Sequence, residues 1–284
     1  MQAKFLTRTW GAVHPTVTVL FLSALYVGVG PARATGGTLR IASATSYLES
    51  AVCDLLGGEA RVLRLAEPGT CPGHFDIRPS QAAELRRCDV LIRFDFQSSL
   101  DAVLEGGSDQ PKILAITVHG GLCCTDSYLN VCRQVAEGLV AEHWLSPSEA
   151  KTRLAEIEVR LTSLAQSATN QIAQVGLRGR PVLASSHQKD FCEWLGLKVV
   201  GTFRASDTIG VREIDDAVKG GESAGTRLII GNVPEGRRAA DALGERLSAK
   251  VIMFDNFPTL RNGKIAFDDM VRENVKALVK AARP

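Results

Sequence analysis

The chain has 284 residues, with 33 Lys and Arg against 31 Asp and Glu and 45% hydrophobic residues. Charge this evenly balanced, with no basic patch and no basic stretch interleaved with aromatics, excludes nucleic acid as a partner. The length suffices for two modest lobes, each with its own core.

The first 34 residues read as a secretory signal peptide. Lys4 and Arg8 form a basic start, Thr16 to Val29 an apolar core, and Ala32-Arg33-Ala34 a small-residue cleavage site. The apolar run is shorter than the ~20 residues a membrane span needs. No cysteine follows the cleavage site, so a lipid anchor is not expected. Cleavage near Ala34 would release the protein into a periplasm. Of 33 basic residues, three (Lys4, Arg8, Arg33) leave with the signal and no acidic ones do, so the mature 250-residue chain carries 30 basic against 31 acidic residues, a net charge of −1.

From there strand and helix patterns alternate. Residues 38–42 read as a first strand and 47–56 as a helix ending at Gly57-Gly58, a C-cap signal. A second strand is expected over 61–65, then the loop Cys71–Pro79 and a short helix over 80–88 with Ser80 as N-cap. Strands follow over 89–92 and 112–117, and a helix over 128–142. Ser146-Pro147-Ser148-Glu149 is a helix start with Ser146 as N-cap and Pro147 in the first turn. No Gly or Pro follows until about Val175, and Leu154, Ile157, Leu161 and Leu164 recur at helical spacing. This predicts a spine of roughly 28 residues, ~40 Å long at 1.5 Å per residue. Beyond Gly176–Gly179, strands are expected over 181–184, 198–202, 227–230 and 250–254. Helices are expected from His187 to Leu195, around 214–218, over 235–247 and over 267–282.

Four strands precede the spine and four follow it. The fold class is therefore α/β: two similar lobes, each a parallel four-stranded sheet with flanking helices, joined by one long backbone helix. The expected organisation is a signal over 1–34, an N-terminal lobe over 35–145, the connecting helix over 146–177 and a C-terminal lobe over 178–284.

Residues that could do chemistry cluster behind predicted strands, where open α/β sheets place ligand groups. His74 lies in Cys71-Pro72-Gly73-His74-Phe75-Asp76, and His187 in Ala184-Ser185-Ser186-His187. Each reads either as a metal ligand or as an ordinary loop or helix-start histidine. Asp255 ends the eighth strand, as cleft ligand or turn residue. Cys123-Cys124-Thr125-Asp126-Ser127 lies between the fourth strand and the next helix. Asp126 could ligate or cap that helix, and Cys123 or Cys124 could ligate as thiolate or pair with a cysteine elsewhere, Cys71 among them. His119 is a weaker candidate, and His143 reads as a surface residue. Seven cysteines are an odd number, so at least one is left without a disulfide partner. Cys88, Cys132 and Cys192 fall in helical patterns and read as core.

This pattern resembles the zinc/manganese-type solute-binding proteins that deliver metal to ABC importers. The family's Pro-His segment, closed by an acidic residue, Pro and a small hydroxyl residue, is similar to Pro72-Gly73-His74-Phe75-Asp76-Ile77-Arg78-Pro79-Ser80. Its Ser-His before a helix is similar to Ser186-His187, its Tyr-Gly-Leu-Lys-Val-Val to Leu195–Val200, and its strand-ending Asp to Asp255. The departures are a cysteine and an extra glycine in Cys71-Pro72-Gly73-His74, Asp126 where the family carries a second histidine, and the absence of a histidine-rich loop.

The resemblance implies a periplasmic receptor holding a divalent transition metal between the lobes, by His74 and Asp126 from the first and His187 and Asp255 from the second. Zinc is the leading cargo, with manganese or iron as alternatives, since two carboxylates make a harder site than three histidines would. Ligation by Cys123 or Cys124 would turn the preference towards zinc or copper. Neutral imidazoles are required, so affinity should fall below pH ~6.5, where free histidine protonates. The implied partner is the membrane permease of an ABC importer, with the receptor itself a monomer and not an enzyme. The competing readings are a receptor of the same fold for a corrinoid, haem or metal chelate, a metal-linked adhesin or chaperone, and a metal hydrolase, for which no H-E-x-x-H pair is present.

Overall fold

The computed structural model describes residues 38–68, 70, 76–105, 110–204, 211–261 and 263–282, with the side chains of 211–213 excepted. The described residues, all within 35–284, form one compact unit. No helix among the described residues is long and apolar enough to cross a membrane.

The first sheet contains β1 (Leu39–Ser43), β2 (Ala60–Arg64), β3 (Val90–Phe94) and β4 (Lys112–Ile116), all parallel, in the order β2-β1-β3-β4. The second contains β5 (Pro181–Ser185), β6 (Lys198–Phe203), β7 (Leu228–Asn232) and β8 (Lys250–Phe254), also parallel, in the order β6-β5-β7-β8. The two orders are the same when strands are counted within each sheet. In both, the first strand lies between the second and the third, so the chain leaves it first to one side and later to the other. The carboxyl ends of β1 and β5 are therefore switch points, where open α/β sheets leave a crevice.

Helices α1 (Ser46–Leu56), α2 (Pro79–Leu85) and α3 (Thr125–Ala141) belong to the first sheet, and α5 (Lys189–Trp194), α6 (Val211–Ser223) and α7 (Arg238–Leu247) to the second. Between them runs α4 (Pro147–Gln174), 28 residues long as the sequence predicts. Its start is a full capping box: Ser146 Oγ accepts from the Glu149 backbone N–H, and Glu149 returns a carboxylate oxygen to the Ser146 N–H. Ala150, Ile157, Leu161, Leu164, Ala168 and Ile172 form its single buried stripe. Some boundaries differ from expectation. Helix α2 starts at Pro79 after Arg78, so Ser80 is not its N-cap, and α3 starts at Thr125 rather than Tyr128. A small hairpin, β9 (Leu260–Arg261) with β10 (Lys264–Ile265), was not foreseen.

The last helix, α8 (Phe267–Ala282), follows the second sheet in sequence but begins inside the first lobe's core. The Phe267 ring stacks on Tyr128 (centroids 4.0 Å apart, planes 6° apart) and meets Tyr47 edge-on at 5.9 Å. The Phe267 backbone N–H donates to Ser50 Oγ on α1 at 2.9 Å. One continuous hydrophobic core thus joins the first sheet, α4, α8 and one face of the second sheet. A separate cluster around Leu183, Ile229 and Leu243 covers the other face.

Polar groups fasten the same junction. Arg160 of α4 grips both oxygens of Asp54 on α1, at 2.8 and 2.5 Å, and its Nε lies 3.5 Å from Asp268 on α8. Burial raises the Asp268 carboxyl above its ordinary range, and Arg160 and Arg272 offset this only in part. A carboxyl raised on folding contributes stability that is complete below its unfolded value and is lost as pH rises through the folded one. Asp268→Asn is therefore expected to match wild type in acid and to become the more stable protein as pH climbs to neutrality. Urea unfolding at several pH values checks this, and a variant less stable at pH 7 would contradict it.

Candidate metal centre

Strand β5 ends in the buried Ala184 and Ser185, and a single 3-10 turn, Ser186–Gln188, follows. This turn puts His187 at the second sheet's switch point with 61% of its side chain exposed. Two hydrogen bonds fix the turn from below. The His187 backbone N–H donates to Ser185 Oγ at 3.2 Å, and the buried Gln188 donates from Nε2 to Asn232 Oδ1, at the end of β7, at 3.0 Å.

A second 3-10 turn, Val233–Glu235, continues from β7 and stops at Gly236, whose φ of 76° suits a residue without a side chain. It carries Glu235 to the neighbouring strand end. Ser185 Oγ donates to Glu235 Oε2, and the other oxygen, Oε1, lies 3.7 Å from His187 Nε2. That spacing is beyond a hydrogen bond. The sequence pattern predicts Glu235 at the start of a helix and gives it no role; in the structure it ends a 3-10 turn and α7 begins only at Arg238.

Asp255 follows β8, next to β7 in the sheet. Its backbone is held from α8: Asp255 N–H donates to Asn274 Oδ1 at 3.0 Å, and its carbonyl accepts from Asn274 Nδ2 at 2.7 Å. The same carbonyl accepts from the Cys123 thiol at 3.0 Å, a direct bond between the lobes. The half-buried Asp255 carboxyl is pushed above its ordinary range by burial, with Arg261 opposing.

From the first lobe, Cys123 is fully buried, and burial holds its thiol well above its usual pKa, with Cys124, Cys192 and Asp255 adding to the rise. Cys124 is the N-cap residue of α3, and burial followed by the charge of Asp190 pushes it up to about 12. Both thiols are therefore protonated at neutral pH. All six described cysteines are free thiols; Cys132 and Cys192 are buried in helices as predicted, and Cys88 is buried too, although α2 ends at Leu85 and leaves it outside the helix. Cys71 and His74 lie outside the described residues, so any pairing or ligation by them does too. Gly121 is packed where a Cβ would come within 3.0 Å of Asp190 Cβ and 3.3 Å of the Phe191 nitrogen, so the first lobe's loop closes directly on α5.

Asp126 lies in the first turn of α3, exposed, where the helix dipole favours a carboxylate. His119 and His143 are both exposed. Among the described residues no group of three or more His, Cys, Asp and Glu side chains gathers at one point. The structure brings His187 and Glu235 together and seats Asp255 two strands away from His187 on the same sheet edge. It does not bring Asp126 into a described cluster with them. An imidazole beside a carboxylate at a switch point does fit the donor chemistry of a divalent transition metal.

The pattern G-x-S-x-G, the spacing of a hydrolase nucleophile turn, also escaped the sequence expectations; it occurs at Gly221–Gly225. Here Ser223 ends α6 ahead of β7, whereas the nucleophile turn runs from a strand into a helix. Ser185, Glu235 and His187 do not form a nucleophilic triad either, since the Ser185 hydroxyl is given to the carboxylate and not to the imidazole.

No family model matches the sequence, and no curated protein matches it. Solved structures do. A crystal structure of ZnuA superimposes with a TM-score of 0.68 at 13% identity, over 87% of this chain and all of that one. A Mn-bound periplasmic metal binding protein from Candidatus Liberibacter asiaticus gives a TM-score of 0.70 at 13% identity, over 86% of this chain and all of that one. A zinc-bound ZnuA deletion mutant gives 0.69 at 12% identity, over 87% of this chain and 99% of that one. The two parallel sheets and their long connecting helix are thus the fold that these metal-binding proteins share.

Proposed function

We propose that this protein is a periplasmic solute-binding protein that captures a divalent transition metal between its lobes and delivers it to the permease of an ABC importer. One observation carries the reading: the whole two-lobed fold, spine included, is that of proteins whose own structures hold manganese, cadmium or zinc. The position of His187 at the second switch point supports it.

In this reading residues 1–34 direct export, and the lobes are 35–145 and 178–284, with the spine within 146–177. His74 and Asp126 would hold the metal from the first lobe, and His187 and Asp255 from the second. Cys123 and Cys124 are weaker ligands, because their buried thiols would first have to lose a proton. Zinc is the first cargo to test, then manganese and iron. The shared core and the Arg160 clamp leave little room for the lobes to separate, so loop changes at the cleft would report occupancy to the permease.

A receptor of the same fold for a haem, corrinoid or metal chelate is the second reading. It is favoured by the described donors reaching only a pair, since a chelated metal already has most of its ligands. Elemental analysis of the protein purified from its own periplasm, with His74→Ala alongside, separates the two. One equivalent of a single transition metal, lost in the variant, supports the metal receptor. A bound chromophore, or no uptake of zinc, manganese or iron on titration, sinks it.

A further inference from the structure

We infer that Glu235 is a metal-coordinating residue, forming with His187 a two-donor platform to which the remaining ligands add. This deepens the proposed function and rests on that reading. The argument starts from the charge. Glu235 is only 16% exposed, and the one cationic or potentially cationic side chain within salt-bridge range among the described residues is His187. A mostly buried carboxylate with no Lys or Arg beside it is costly unless a cation completes it.

The geometry specifies how. Ser185 is completely buried at the end of β5, and its hydroxyl donates to Glu235 Oε2 while accepting the His187 backbone N–H. One serine therefore orients both partners: it occupies Oε2, Oε1 takes no hydrogen bond from the described residues, and the same hydroxyl sets the turn that carries the imidazole. Oε1 and His187 Nε2 then lie 3.7 Å apart, too far for a hydrogen bond. Two donors bound to one ion at about 2.0–2.2 Å each stand roughly 3–4 Å apart. The pair thus has the separation of two ligands on a common metal, and Ser185 supplies the outer hydrogen bond that ligating carboxylates receive. Both turns rise from adjacent strands, β5 and β7, so the platform is held by the sheet rather than by a long loop. Asp255 follows β8, one strand beyond β7, and does not join His187 and Glu235 in one cluster among the described residues.

The test is titration of the mature protein with Zn²⁺ and Co²⁺, following Co²⁺ by visible absorption, whose intensity and position report coordination number and donor type. Wild type, Glu235→Gln, Glu235→Asp, Ser185→Ala and His187→Ala are compared, with the exposed Glu245→Gln as control and thermal melts verifying folding. Glu235→Gln is expected to weaken Zn²⁺ at least 10-fold to 100-fold and to change the Co²⁺ spectrum, Glu235→Asp to restore part of both, and Ser185→Ala to weaken binding with less spectral change. If His187→Ala loses affinity while Glu235→Gln keeps wild-type affinity and an unchanged Co²⁺ spectrum, Glu235 is not a ligand and this inference alone falls. A wild type that takes up neither ion overturns the proposed metal receptor and this inference together.

Discussion

Phe267→Ala is expected to cost about 3–5 kcal/mol of stability, the range for deleting a buried aromatic side chain. The ring is 1% exposed and sits where the chain's last helix enters the first lobe. Its removal takes away the stack on Tyr128 and the edge contact with Tyr47 together, and leaves a cavity walled by both rings. The Phe267 N–H bond to Ser50 is a backbone contact and survives the substitution, so α8 should stay docked by a weakened hold. The loss falls on the junction of the lobes, not on one lobe. Denaturant unfolding should show the lower midpoint, and hydrogen exchange should show protection lost in both α1 and α8. A loss below about 1 kcal/mol, or faster exchange confined to α8, would mean that the lobes are held chiefly by other contacts.

His187→Ala is expected to lower metal affinity by about 100-fold or more, or roughly 2.8 kcal/mol at 1.4 kcal/mol per tenfold, while changing stability by no more than about 0.5 kcal/mol. The two effects separate because the side chain is 61% exposed, whereas the fold of its turn depends on Ser185 Oγ and Gln188. Competition against a chelator of known affinity gives the first quantity and thermal melting of the metal-free protein the second. Unchanged affinity would remove His187 from the site and leave Asp255 as the second lobe's proposed ligand. Replacing Cys123 by Ser should behave in the opposite way, since its thiol bonds the Asp255 carbonyl across the lobes and is protonated.

Much of the element order was legible because its signals are local. The capping box at Ser146–Glu149, the glycine after Leu56 and the apolar stripe of α4 lie within a few residues of what they control. β8 and α8 have the bounds their patterns predict. Misreadings arose where a short polar run conceals its role. Thr125, Asp126 and Ser127 read as loop, since Thr, Asp and Ser compete with helical backbone when judged alone. In the fold Cys124 is the N-cap residue and all three are helical, which moves Asp126 from a loop into a helix turn. Glu235 read as the start of a helix, yet it closes a 3-10 turn and Gly236 separates it from α7.

The sequence by itself determined that strands and helices alternate, that a long helix divides them into two similar sets, and that His187 and Asp255 stand at strand ends. These follow from periodicity, caps and turn residues, which act over a single turn or strand. Only the tertiary structure decided the strand order, the crossing of α8 into the first lobe and the company each candidate keeps. Ser185 meets Glu235 across 50 residues, Cys123 meets Asp255 across 132, and Phe267 meets Ser50 across 217. Contacts of that range are set by which hydrophobic faces bury one another and by which buried polar groups then need a partner, and neither is written in any one stretch of chain.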